Sequence, residues 1–98
     1  MATKTTAFDA ADYLNSPEIQ AEYLRAALED GDTNTIAMVL GDIARARGAS
    51  QFAKDSGLSR ETIYKAFRNG GNPTLDTLAK AIKALGCRLT IEQVTTTN

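Results

Sequence analysis

Between residues 49 and 68 the chain reads ASQFAKDSGLSRETIYKAFR, and residue sizes at fixed offsets there leave few folds other than a helix-turn-helix. Phe52 and Ala53 fall on a first helix, Gly57 in the turn, Leu58 just after it and Ile63 on a second helix. Ala53 faces the crossing helix, where a larger side chain would force the pair apart. Gly57 supplies the positive φ that a tight turn needs at low cost. Leu58 and Ile63 fill the angle between the helices. Ser59 is placed to cap the second helix with Thr62 as its N3 residue, so Arg60, Glu61 and Thr62 form its first turn. That turn is the part such a motif pushes into the major groove.

Helical phase then sorts the second helix into a buried and a reading side. Ile63, Ala66 and Phe67 share one stripe at i, i+3 and i+4, which leaves Arg60, Glu61, Tyr64, Lys65 and Arg68 outward. Arg60 suits guanine, because its planar fork donates to O6 and N7 together, and Glu61 suits the amino group of cytosine. Lys65, Arg68 and the loop Asn69-Gly70-Gly71-Asn72 are placed for phosphates that set register. Gln51 opens the first helix of the motif, where its amide can reach a phosphate beside main-chain NH groups. The candidate DNA contacts are thus Gln51, Ser59, Arg60, Glu61, Thr62, Tyr64, Lys65, Arg68, Asn69 and Asn72. Packing alone also explains a helical hairpin of this composition, and Gly57 alone is an ordinary helix C-cap. Five size constraints, together with a capped, basic and exposed second helix, favour DNA binding.

A net charge of −1 looks wrong for that role until the chain is divided. Residues 1–44 carry two basic and eight acidic side chains, whereas residues 45–98 carry nine basic and four acidic ones. The polarity fits two tasks: a basic half that meets phosphate, and an acidic half that phosphate repels and that suits a basic partner. With 98 residues, 43% of them apolar, the chain is one compact domain with room for an appendage. No apolar run approaches a membrane span and no signal peptide is evident at the start, so the cytoplasm is the expected compartment, with no membrane contact. The single Cys87 and the absence of histidine leave no disulfide or zinc cluster, and no metal or cofactor is expected. Cys87 reads as a small filler rather than a redox sensor.

Five helices and a strand are placed by period and punctuation. Residues 8–14 make a short turn of helix, and Pro17 is well suited to begin the next, which runs to about residue 29. Ile19, Tyr23, Ala26 and Ala27 share one of its faces, with Leu24 and Leu28 to the side. Asp32 or Thr33 caps a third helix carrying Ile36, Val39, Leu40, Ile43 and Arg47, which Gly48 ends. After the helix-turn-helix, Thr74 caps a last helix with Leu75, Leu78, Ala79, Ile82 and Leu85 as its stripe, closed by Gly86. Cys87, Leu89 and Ile91 then alternate with Arg88, Thr90 and Glu92, which is strand period. The expected fold is all-α, a compact helical bundle with a short C-terminal β-strand. A lone strand needs a partner for its backbone groups, and pairing Leu89 and Ile91 with a second copy would give a two-fold homodimer. Three segments follow: residues 1–32, acidic and helical; 33–86, the DNA-binding domain; and 87–98, a strand and tail for dimerisation.

Residues 8–14 as FDAADYL, 19–27 as IQAEYLRAA, 40–48 as LGDIARARG, 57–66 as GLSRETIYKA, 71–74 as GNPT and 84–86 as ALG are similar to the addiction-module antidote family. The similarity covers residues 8–92, most specifically 41–72, and the central part resembles the Cro and phage-repressor (XRE-like) class of helix-turn-helix proteins. The resemblance implies a type II antitoxin of the HigA kind that binds a small toxin and represses the operon encoding both, on a palindromic operator. It also implies a basic, ribosome-dependent mRNA-cleaving toxin of the RelE/HigB kind as partner. Asp12, Glu18, Glu22, Glu29 and Asp30 are the carboxylates suited to cover such a basic surface. A stand-alone repressor without a toxin is the alternative. An enzyme is disfavoured, since no Cys-His pair is possible, the carboxylates are scattered, and Gly70-Gly71 lacks a phosphate loop's lysine and strand.

Overall fold

A central helix with three side chains of zero exposure organises the chain. The structure is a computed structural model describing residues 9–95. Among the described residues a 3-10 turn, Ala10–Tyr13, precedes α1 (Pro17–Asp30), α2 (Thr33–Arg47), α3 (Ala49–Ser56), α4 (Arg60–Ala66) and α5 (Leu75–Ala84). Ala37, Leu40 and Ile43 of α2 are fully buried, and α2 packs against the 3-10 turn, α1, α3 and α4. One core joins Leu14, Leu24 and Ala27 from the N-terminal segment to Phe52, Ile63, Phe67, Ile82 and Leu85 from the C-terminal half. Phe52 meets Phe67 edge-on at 6.4 Å between ring centroids, holding α3 to the end of α4.

The helix starts follow the sequence signals. Asp32 accepts the Thr35 amide at 2.9 Å, Ser59 that of Thr62 at 3.0 Å and Thr74 that of Thr77 at 3.1 Å. Each satisfies one amide that the first turn leaves without an intrahelical partner. Ser16 does the same for Ile19 at 3.2 Å, with Pro17 beginning α1. Gly57 has φ 79° and ψ 7°, the left-handed conformation that lets α3 end and the chain turn into α4. The expected turn over residues 8–14 is observed as Ala10–Tyr13, and Phe8 lies outside the described residues.

Two helices sit rotated from their expected faces. On α1 the buried positions are Gln20, Leu24 and Ala27, with Tyr23 and Leu28 at the edges, while Ile19 and Ala26 are exposed. A buried glutamine is the reason. Gln20 Nε2 donates to the Leu14 carbonyl at 2.9 Å, and its oxygen accepts from Arg47 Nε at 2.7 Å. With both ends paired, burying the amide costs little and the helix turns toward it. On α5 the interior takes Thr77, Ala81, Ile82 and Leu85, whereas Leu75 is 74% exposed and Ala79 also faces out.

The expected C-terminal strand is absent. No strand occurs among the described residues; after Gly86 the chain runs on without regular structure to residue 95. Cys87 is half-buried against the core, but Leu89, Ile91 and Val94 are exposed, Ile91 at 97%. Alternation alone does not make a strand: it needs an edge to receive its backbone groups, and five helices offer none. The fold is all-helical, and the pairing of Leu89 and Ile91 across a two-stranded ladder is therefore withdrawn.

Candidate nucleic-acid interface

Helix α4 spans seven residues and has polar side-chain contacts at both ends. Ser59 caps its start, its hydroxyl also donating to Thr62 Oγ1 at 2.9 Å, and Arg68 Nε donates to the Lys65 carbonyl at 3.2 Å beyond its end. Ile63 and Phe67 are buried, and Arg60, Glu61, Tyr64, Lys65 and Arg68 are all exposed, as the phase of the helix requires. Arg60 lies along the Tyr64 ring, 5.8 Å from its centroid, and donates to the Tyr64 hydroxyl at 3.1 Å. This hydrogen bond raises Arg60 above the ordinary arginine value, so the side chain is cationic at any physiological pH. The pair forms a stiffened, flat, cationic edge one turn long.

Around α4 the other candidates divide into engaged and available groups. Gln51 Nε2 donates to Asp55 Oδ1 at 2.8 Å, which leaves its second amide proton for an external acceptor. Asn69 is not loose: its oxygen accepts from Asn34 Nδ2 at 2.8 Å, and Asn34 Oδ1 accepts the Gly70 amide at 2.6 Å. Asn72 is exposed in the loop before α5. All ten sequence-derived candidates lie on α3, α4 and the two segments that follow Gly57 and Phe67.

Two residues that sequence reasoning passed over join this face. Asn34, on the first turn of α2, ties down the loop after α4 from 35 positions away, which no local pattern reports. Arg45 lines a shallow groove of about 220 Å³ with Ala49, Tyr64 and Arg68. Its guanidinium pairs with Asp9 at 2.6 Å and Asp42 at 3.0 Å. Burial, which by itself would lower Arg45, is outweighed by these carboxylates, and its value is raised. A basic residue in the last turn of α2 was the available signal.

The acidic candidates are spread along the 3-10 turn and α1. Glu22 lines a groove of about 410 Å³ together with Ala10, Tyr13, Leu14, Ile19 and Tyr23, and Asp12 and Glu18 are exposed at the positions next to Tyr13 and Ile19 in the chain. Glu29 and Asp30 stand at the far end of α1, roughly 15 Å away at 1.5 Å of rise per residue, and are not brought to it.

The sequence profile of the family described as "probable addiction module antidote protein" matches residues 4–93, nearly the full length. The chain belongs to this antidote family. An uncharacterized protein of Haemophilus influenzae is 45% identical to it over 86 residues, covering 88% of this chain and 89% of its own. No solved structure matches. In this antidote-family chain the outward cations Arg60, Lys65 and Arg68 stand on or just after α4 and the carboxylates Glu18, Glu22, Glu29 and Asp30 on α1, while Arg45 pairs with Asp9 and shares a groove with Tyr64 and Arg68. No helix among the described residues is long and apolar enough to cross a membrane.

Proposed function

We propose that the chain is the antitoxin of a type II toxin-antitoxin module. It neutralises a small basic toxin through its acidic N-terminal half and represses its own operon as a DNA-bound homodimer in the cytoplasm. The observation that carries this reading is membership of the antidote family in a chain whose two halves are opposite in charge. An antidote has a toxin to oppose, and a ribosome-dependent mRNA-cleaving toxin of the RelE/HigB kind, basic because it must hold RNA, is the partner that the acidic half suits. The capped α4, with Arg60, Tyr64, Lys65 and Arg68 outward, suits the major groove of a palindromic operator, with Arg60 and Glu61 reading bases and the rest setting register. Two copies would place two such helices about 34 Å apart. The reading includes no catalytic step and no cofactor.

Two measurements test it together. Fluorescence anisotropy with duplex DNA from upstream of the chain's own gene is expected to show salt-dependent binding that random duplex of equal length does not match. Expression of the toxin gene paired with it is expected to arrest growth, and co-expression of the chain to restore it. Specific DNA binding without any such toxin would make the stand-alone repressor the better account.

A further inference from the structure

The groove between the 3-10 turn and α1 is apolar, open and already shaped. Its floor is Leu14, 3% exposed, whose carbonyl is held by Gln20. One wall is Tyr23, fixed by donating its hydroxyl to Asp42 at 3.2 Å. Tyr13 and Ile19 stand at its mouth, 64% and 44% exposed, although both are large apolar side chains on the N-terminal surface. Glu22 is part of the lining. Asp12 and Glu18 have no ion pair among the described residues, and Glu22 shares Arg25 at 3.2 Å in an exposed contact. Arg45, the other nearby cation, is held by Asp9 and Asp42. An apolar pocket with Glu22 in its lining, set in an acidic N-terminal half, favours an apolar side chain flanked by cations, and a preformed pocket spares the cost of ordering it.

We propose that this groove is the docking surface for the basic partner, receiving one apolar side chain of a segment flanked by lysines or arginines. This rests on the antitoxin reading above and adds where the partner is held. A second copy of the chain is a poor occupant, since a two-fold contact here would set Glu18 and Glu22 against their own equivalents. Residues 1–8 bring only Lys4 as a cationic side chain.

The test uses the full-length chain, with the small basic protein that co-purifies with it at high salt as the purified probe, titrated calorimetrically at two salt concentrations. Ile19→Glu is expected to weaken binding about 30-fold and Tyr13→Ala about tenfold. The double variant Asp12→Asn/Glu18→Gln is expected to reduce the salt dependence. Leu75→Ala, an exposed apolar position on α5, is expected to bind as the parent does. Thermal melting of each variant separates a lost contact from a lost fold. Parent-like binding by folded Ile19→Glu and Tyr13→Ala overturns the groove and leaves the antitoxin reading standing, whereas failure to recover any basic protein overturns both. A change in sedimentation by Ile19→Glu with partner affinity unmoved assigns the groove to a second copy. A rise in Tyr13 exposure on deleting residues 1–8, again with affinity unmoved, assigns it to the chain's own first residues. Either result overturns the proposal.

Discussion

At the scale of single residues, Arg60 is proposed to read a base and Lys65 only to hold register. Arg60 is exposed and hydrogen-bonded to Tyr64, so less rotamer freedom would be lost in the proposed contact with a base. Arg60→Ala is expected to cost about 1–3 kcal/mol of operator affinity and to relax preference at one base pair. Lys65→Ala is expected to weaken all sequences alike and to flatten the salt slope by about one unit. Anisotropy against a panel of single-base operator variants checks both, and unchanged discrimination in Arg60→Ala would sink its reader role. Gln20 belongs to a different class: it is buried, and it answers both Arg47 and the Leu14 carbonyl. Gln20→Leu keeps the volume but strands two polar partners, and a loss of about 2 kcal/mol is expected in urea unfolding. The outward set on α4 was legible from helical phase alone. The Gln20–Arg47 contact was not, because its partners are 27 positions apart and each residue type is ordinarily exposed.

Between elements, α2 comes close to the end of α4 at Gly41. A methyl group at Gly41 would meet the Phe67 backbone carbonyl, which cannot swing aside as a side chain can. Gly41→Ala is therefore expected to lower stability by about 3 kcal/mol, read as a shift in the urea midpoint at constant slope. A midpoint equal to the parent's would mean that the helices separate freely there. The sequence showed Gly41 only as a small residue inside a helix, a position where glycine ordinarily weakens the helix. Caps and turns were legible because they depend on two or three neighbouring residues, as at Ser59 with Thr62 or at Gly57. The rotation of α1 and α5 was not, since Leu75 and Ile19 fit an apolar stripe whose true edge depends on where the neighbouring helix stops. The C-terminal strand failed for the same reason at greater range: period is local, and a pairing edge is not.

For the whole molecule, the division of charge is the organising fact, and the two oppositely charged halves of the chain share one core. Leu14, Leu24 and Ala27 bury against the same cluster as Ile63 and Phe67, so removing residues 1–32 would open the core rather than excise a module. Charge reversal on the intact chain is the cleaner probe. Acid also acts at this scale. Asp9 is lowered by the Ala11 amide and then Arg45, and Asp32 by the Thr35 hydroxyl and amide. With folded values below unfolded ones, their contribution is complete above the ordinary aspartate range and is lost as pH falls through the folded values. The urea midpoint is therefore expected to fall below about pH 4, and less steeply in Asp9→Asn/Asp32→Asn; an acid limb of parent slope in that variant would contradict this assignment. The central claim, that the acidic half exists to hold a basic toxin, is met most directly by purifying the tagged full-length chain from its native host through moderate and then high salt and identifying every co-purifying protein. The account predicts one stoichiometric small basic protein, lost when Glu18→Lys and Glu22→Lys are combined in a chain that still melts as the parent does. Recovery of DNA alone, or undiminished retention of that protein by the charge-reversed chain, would contradict it.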